Sequence, residues 1–190
     1  MTKLMIFDET TAPAKAKPIL RSVRSKYGFI PNLMGELAAS PAALESYATL
    51  SSLYGQSGLT PAEQQVVLLT TSRENNCGYC VAAHSTVSLN TDLDRQVLSA
   101  LREGTVIDSD PRLEALRQFT ASIVRNRGLV ERHDIDAFLA AGFTRANILD
   151  VMTGVTMKTM SNYVNHIAET ELDDAFQAMA WSKPILQHAD

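Results

Sequence analysis

Both cysteines of this 190-residue chain lie in one segment, Arg73-Glu74-Asn75-Asn76-Cys77-Gly78-Tyr79-Cys80-Val81-Ala82-Ala83-His84-Ser85. They stand at CxxC spacing, and His84 follows Cys80 by four residues. On an α-helix, with about 100° of turn per residue, Cys77, Cys80 and His84 fall within roughly a 60° arc. Three polarisable or titratable side chains therefore share one stripe. Cys77 is expected in a first turn, where free N–H groups and the helix dipole stabilise a thiolate. His84 can accept the Cys80 proton or, as imidazolium, hold the Cys80 thiolate. The i, i+3 spacing also lets one sulfur resolve a sulfenic acid formed on the other. The chemistry is that of a redox dithiol. A c-type haem site needs CxxCH, and residue 81 is Val81. Cys77, Cys80 and His84 would give zinc only three ligands, short of a closed structural site, so no metal and no cofactor are assigned. The bland alternative is two small buried residues beside a satisfied core histidine.

The elements that must hold this stripe announce themselves by their caps. Asn75-Asn76 marks a helix start just before Cys77. Ser40-Pro41, the capping box Thr60-Pro61-Ala62-Glu63, Asp110-Pro111 and Thr144 open further helices. Apolar residues follow at helical spacing: Leu44, Tyr47, Leu50 and Tyr54; Leu113, Leu116, Phe119 and Ile123; Ile148, Val151, Met152 and Val155. Gly28, Gly55, Gly58, Gly104, Gly128 and Gly142 stand where helices stop. Alternating runs joined by Asn-Gly or Asp-Gly are absent. The chain reads as all-α, with the CxxC at the N-terminus of a central helix. It is read as one domain over residues 1–190, with an irregular arm at 1–12 and an irregular tail at 181–190, where Pro184 breaks any helix.

Composition narrows the function. With 17 basic and 21 acidic residues the net charge is −4, a poor match to nucleic acid or an anionic membrane. No apolar run approaches a bilayer span, and the apolar patch after Met1 is too short for a signal-peptide core. The expectation is a cytoplasmic protein that keeps its thiols reduced.

The run from Glu74 to Ser85 resembles the CxxCxxxH signature of AhpD-like alkylhydroperoxidases, within the carboxymuconolactone decarboxylase superfamily. Gly28-Phe29-Ile30-Pro31-Asn32-Leu33 with Ser40-Pro41, and Ser161-Asn162-Tyr163-Val164-Asn165-His166-Ile167-Ala168 with Leu172-Asp173, resemble the peroxidase-related branch. The resemblance implies an AhpD-like helical fold and a homo-oligomer, trimer or hexamer. It makes Cys80 the peroxidatic nucleophile, Cys77 its resolving partner and His84 part of a proton relay. It also implies a hydroperoxide substrate and an external thiol or protein reductant. The family's glutamate twelve residues before the first cysteine is here Gln65, which cannot take a proton at neutral pH. Its histidine before the second cysteine is here Tyr79, read as packing. Glu74 is taken as the substitute carboxylate, because a continuous helix would set it beside the stripe.

The expected function is thus a dithiol peroxidase with Cys80, Cys77, His84 and Glu74 as catalytic residues. The alternative is a thiol–disulfide oxidoreductase passing electrons to a partner protein. A decarboxylase has no need of a CxxC pair, and an inert helical oligomer would be indifferent to Cys80→Ser. Outside the segment, Asn162 and His166 are spaced to share a helix face, with His166 read as a core or interface residue. His133 is read as solvated within Glu131-Arg132-His133-Asp134, His188 carries no signal, and Met152, Met157 and Met160 are read as packing.

Overall fold

The structure, a computed structural model, describes residues 4–183. Nine α-helices fall among them: α1 Lys17–Tyr27, α2 Asn32–Leu37, α3 Pro41–Tyr54, α4 Pro61–Glu74, α5 Gly78–Ser88, α6 Arg95–Glu103, α7 Pro111–Arg125, α8 Arg132–Ala140 and α9 Arg145–Ala168. A 3-10 turn, Asp174–Met179, follows. No strand occurs among the described residues. The all-α expectation holds because the start signals act as caps. Ser40 accepts from Ala43 N–H, Thr60 and Glu63 form a reciprocal box, Asp110 accepts from Arg112 and Leu113 N–H, and Thr144 pairs with Asn147. Each satisfies amides that the first turn leaves without partners.

α4 is enclosed on nearly all sides. Val66, Val67, Leu68, Leu69, Thr70, Thr71 and Ser72 are all buried. It packs against α5, α7 and α9, so one helix backs the whole site. On one flank lies a core in which Phe138 stacks between Phe119 and Phe143, with ring centroids 4.4 and 4.5 Å apart. On the other a second cluster joins Leu20, Leu33, Met34, Leu37, Leu44 and Phe176 to Cys77, Tyr79 and Cys80. The cysteine pair is therefore part of a hydrophobic core.

Residues 4–16 form an irregular arm with turns, and residues 181–183 carry no helix. The rest of the expected tail, with Pro184 and His188, lies outside the described residues. After α9 the chain turns back across the start of α5. Asp173 accepts from the Tyr79 hydroxyl at 2.5 Å and from Asn32 N–H, and Phe176 meets Tyr79 edge-on at 6.0 Å. Arg102 then donates to the carbonyls of Met179 and Ala180, and the Trp181 indole N–H donates to Arg102 O. The strap passes so close that a Cβ on Gly78 would stand 2.8 Å from Trp181 O. That contact is a physical reason for glycine between the two cysteines.

Candidate active site

The break between α4 and α5 sets the position of both sulfurs. Asn76 adopts φ 56°, its N–H bonds Arg73 O at 3.0 Å, and Cys77 N–H bonds Ser72 O at 2.9 Å. This is a Schellman C-cap, with asparagine in the left-handed position. Asn75-Asn76 thus ends α4, whereas the sequence reading made it the start of the next helix. Cys77 becomes the N-cap of α5 and Cys80 its third residue. The same break removes the continuous helix on which the Glu74 expectation rested. Glu74 closes α4, and its carboxylate takes both Arg125 Nε and a terminal Arg125 nitrogen at 2.7 Å. Its other ion-pair partner is Arg73. Glu74 is spent on α7 and is not brought to the sulfurs.

Cys77 and Cys80 form no disulfide, are each 1% exposed, and share a hydrogen bond. Facing them is one stripe of α9. Asn165 Nδ2 donates to Cys80 Sγ at 3.0 Å and lies 3.6 Å from Cys77 Sγ. Ser161 Oγ stands 3.8 Å from Cys80 Sγ. One turn earlier comes Lys158, 1% exposed, whose Nζ is 2.8 Å from His84 Nε2 and 3.5 Å from the Tyr47 hydroxyl. His84 Nδ1 is 3.0 Å from Gln65 Oε1. An amide oxygen only accepts, so this pairing puts the ring hydrogen on Nδ1 and leaves Nε2 to accept from the ammonium. His84 therefore meets Gln65 and Lys158, and its link to Cys80 runs through Lys158. The Asn165 Oδ1 has no partner. A buried orphan acceptor costs about 1–3 kcal/mol, so the amide gives up that bond to present its N–H to sulfur. A thiolate, which only accepts, favours that orientation.

The electrostatics assign different states to the two sulfurs. Burial pushes the Cys80 thiol up. The Cys77 hydrogen bond, the Lys158 ammonium and the polar side chains of Ser161 and Asn162 outweigh it, and Cys80 falls from 9.0 to about 5. Cys77 moves the other way, raised by its hydrogen bond to Cys80, by burial and by the Cys80 charge. Burial lowers Lys158, but the facing Cys80, Tyr47 and Cys77 more than reverse this and raise it. Burial, then the Lys158 charge, hold His84 well below its usual range. These shifts favour a thiolate at Cys80, a thiol at Cys77, an ammonium at Lys158 and a neutral imidazole at His84.

Residues 38–122, which include Cys77, Cys80 and His84, match the carboxymuconolactone decarboxylase family. An uncharacterised peroxidase-related protein of Ralstonia eutropha JMP134, described as an alkylhydroperoxidase AhpD core, superposes with a TM-score of 0.82. That match covers 92% of this chain and 93% of the other at 23% identity. This chain carries an all-α fold like that of the AhpD core. A second peroxidase-related protein, from Silicibacter sp. TM1040, matches at TM-score 0.75 and 20% identity over 88% of this chain and 89% of the other. The debrominase Bmp8 in its apo form gives TM-score 0.77 at 16% identity, over 94% and 96%. No curated protein sequence matches significantly.

The remaining expectations sort by burial. Tyr79 packs against Phe176 and anchors the strap. Asn162 is fully buried, with its amide between Asn75 and Ser72, whereas His166 is exposed, so the two do not share an environment. His133 is exposed between Glu131 and Asp134. Met157 is buried, Met160 lies against the cysteine cluster and Met152 is exposed. Lys158, Ser161 and Asn165 were not singled out from sequence. The available signal was their i, i+3, i+7 spacing, a polar stripe within a 24-residue helix. Among the described residues no cluster of His, Cys, Asp or Glu is arranged to hold a metal ion. No helix there is long and apolar enough to cross a membrane.

Proposed function

We propose that this protein is a dithiol peroxidase that reduces hydroperoxides. The supporting observation is the asymmetry of the pair: Asn165 Nδ2 donates to Cys80 Sγ at 3.0 Å but lies 3.6 Å from Cys77 Sγ, and the surroundings lower the Cys80 thiol while raising that of Cys77. Cys80 attacks the peroxide and becomes a sulfenic acid, and Cys77 displaces its hydroxyl to close the disulfide. His84 serves the relay at one remove, by holding the Lys158 ammonium. An external thiol or a protein dithiol then resets the pair.

Burial shapes the substrate. With both sulfurs 1% exposed, small hydroperoxides reach Cys80 more readily than bulky ones. The outer face of α9 carries Leu149, Met152, Tyr163 and Ile167, an exposed apolar stripe suited to contact between copies in a homo-oligomer.

Thiol counting before and after one equivalent of hydrogen peroxide tests the reading. Wild type should lose two thiols, and Cys77→Ser alone should yield a trappable sulfenic acid. Trapping in Cys80→Ser instead would exchange the two roles. Loss of thiols to a disulfide-bonded protein but not to peroxide would favour the oxidoreductase reading.

A further inference from the structure

We propose that Lys158 is the general acid of peroxide cleavage, giving its proton to the departing oxygen and recovering one from Cys80 on re-reduction. The inference rests on the peroxidase reading and assigns a step that the dithiol alone does not explain. When a thiolate splits an O–O bond, an alkoxide or hydroxide leaves, and expelling either unprotonated is costly. A positioned proton donor lowers that barrier by roughly 10²- to 10⁴-fold in rate. The group beside His84 is the Gln65 amide, which has no acidic proton to give. His84 is equally unsuited, because its one hydrogen lies on Nδ1 toward Gln65 Oε1. Glu74 is bound to Arg125.

Lys158 is the buried cation that remains. Its charge has no carboxylate partner among the described residues, and its polar contacts are His84 Nε2 and the Tyr47 hydroxyl. A buried ammonium without a counter-ion is strongly unfavourable, and the α9 stripe that carries Lys158 sets Ser161, one turn on, 3.8 Å from Cys80 Sγ, so the nearby Cys80 charge offsets it. The ammonium has three N–H donors. One goes to His84 and one toward Tyr47, so a third remains to be given to a departing oxygen. The backbone links the groups: Ser161, which touches Cys80 Sγ, bonds back to Lys158 O at 2.9 Å.

The step balances. The Cys80 thiolate attacks the terminal oxygen of ROOH, an S–O bond forms, the O–O bond breaks, and sulfur is oxidised by two electrons. The leaving RO⁻ takes a proton from Lys158 and departs as ROH, and Lys158 becomes a neutral amine. The Cys77 thiol then displaces hydroxide from the Cys80 sulfenic acid, releasing water and forming the disulfide. An external dithiol supplies two electrons and two protons, leaving thiols at both positions. Cys80 returns its proton to Lys158, and the ion pair is restored. The thiolate and ammonium together thus hold the proton that each turnover consumes.

The test compares two small oxidants whose leaving groups differ in their need for a proton: hydrogen peroxide, which expels hydroxide, and peracetic acid, which expels acetate. Rates of Cys80 oxidation are measured for wild type and Lys158→Met, each normalised to its thiolate fraction from absorbance at 240 nm. Lys158→Met should lose about 10²- to 10⁴-fold toward hydrogen peroxide but less than about tenfold toward peracetic acid. An equal loss toward both would overturn the proposal and leave the peroxidase reading standing. Should the variant fail to fold, wild type decides alone. Its ratio of peracetic acid to hydrogen peroxide rates should be at least tenfold smaller than that of free dithiothreitol, and an equal ratio refutes the general acid. No oxidation of wild type by either oxidant would remove the peroxidase reading and the proposal with it.

Discussion

The strongest test of the electrostatic argument is pH. The Cys80 thiol is lowered from an ordinary 9.0 to about 5, against burial, by Cys77, Lys158, Ser161 and Asn162. At pH 7 that change raises the thiolate fraction from about 1% to about 99%, a gain of roughly a hundredfold. A more acidic thiol is also a weaker nucleophile. With a Brønsted slope of roughly 0.4 to 0.5, four pH units cost about 40- to 100-fold in intrinsic rate. The two effects nearly cancel at pH 7. At pH 6 the fraction gains about 900-fold against the same loss, so a net advantage of roughly ten- to twentyfold remains. Lowering the pKa therefore helps mainly in acid, and any large acceleration at neutral pH must come from stabilising the departing oxygen. Stopped-flow oxidation of reduced protein by hydrogen peroxide should give a rate constant flat from about pH 6 to 9. Below about pH 5 it should fall tenfold per unit, with the 240 nm absorbance following the same midpoint. The stability sign agrees. The folded pKa is depressed, so Cys80 contributes stability fully present above about pH 9 and lost as pH falls toward about 5. Reduced wild type should gain stability with pH across that window more steeply than Cys80→Ser. A rate that keeps climbing tenfold per unit up to pH 9 would show an ordinary thiol and refute the ion-pair reasoning.

Other expectations follow from single contacts. Glu74→Gln weakens an ion pair whose Arg125 side is 59% exposed; it should cost no more than about 1 kcal/mol in urea unfolding and change peroxide consumption less than twofold. A loss of a hundredfold would restore Glu74 to the relay. Tyr79→Phe removes the 2.5 Å bond to Asp173 that anchors the strap. It should cost about 1.5–3 kcal/mol in the same assay and speed alkylation of the cysteines, and unchanged alkylation would mean that the strap does not guard them. Ile167→Glu charges a side chain that is 72% exposed on α9. If copies meet there, light scattering should report a smaller species than wild type, and an unchanged mass would place the contact elsewhere.

Sequence alone determined the helical class and located the cysteine segment at the centre of the candidate site. Caps are local devices, so Ser40, Thr60, Asp110 and Thr144 could be read directly and act as read. The CxxCxxxH spacing likewise sets Cys80 and His84 one turn apart on α5, because a helix turn fixes their mutual angle whatever packs around it. Local rules failed where two motifs compete for the same residues. Asn75-Asn76 suits a helix start as well as a left-handed C-cap, and only the bond from Cys77 N–H to Ser72 O decides between them. That break carries Glu74 to Arg125 and away from the sulfurs, which a continuous helix would not do. The rest of the site comes from α9, more than seventy residues along the chain. Asn165 reaches Cys80 and Lys158 reaches His84 because α4 supports both α5 and α9 from behind. That juxtaposition belongs to packing. No spacing within the Cys77–His84 segment shows that the histidine would face a buried lysine, or that this ammonium would set the charge of the sulfur.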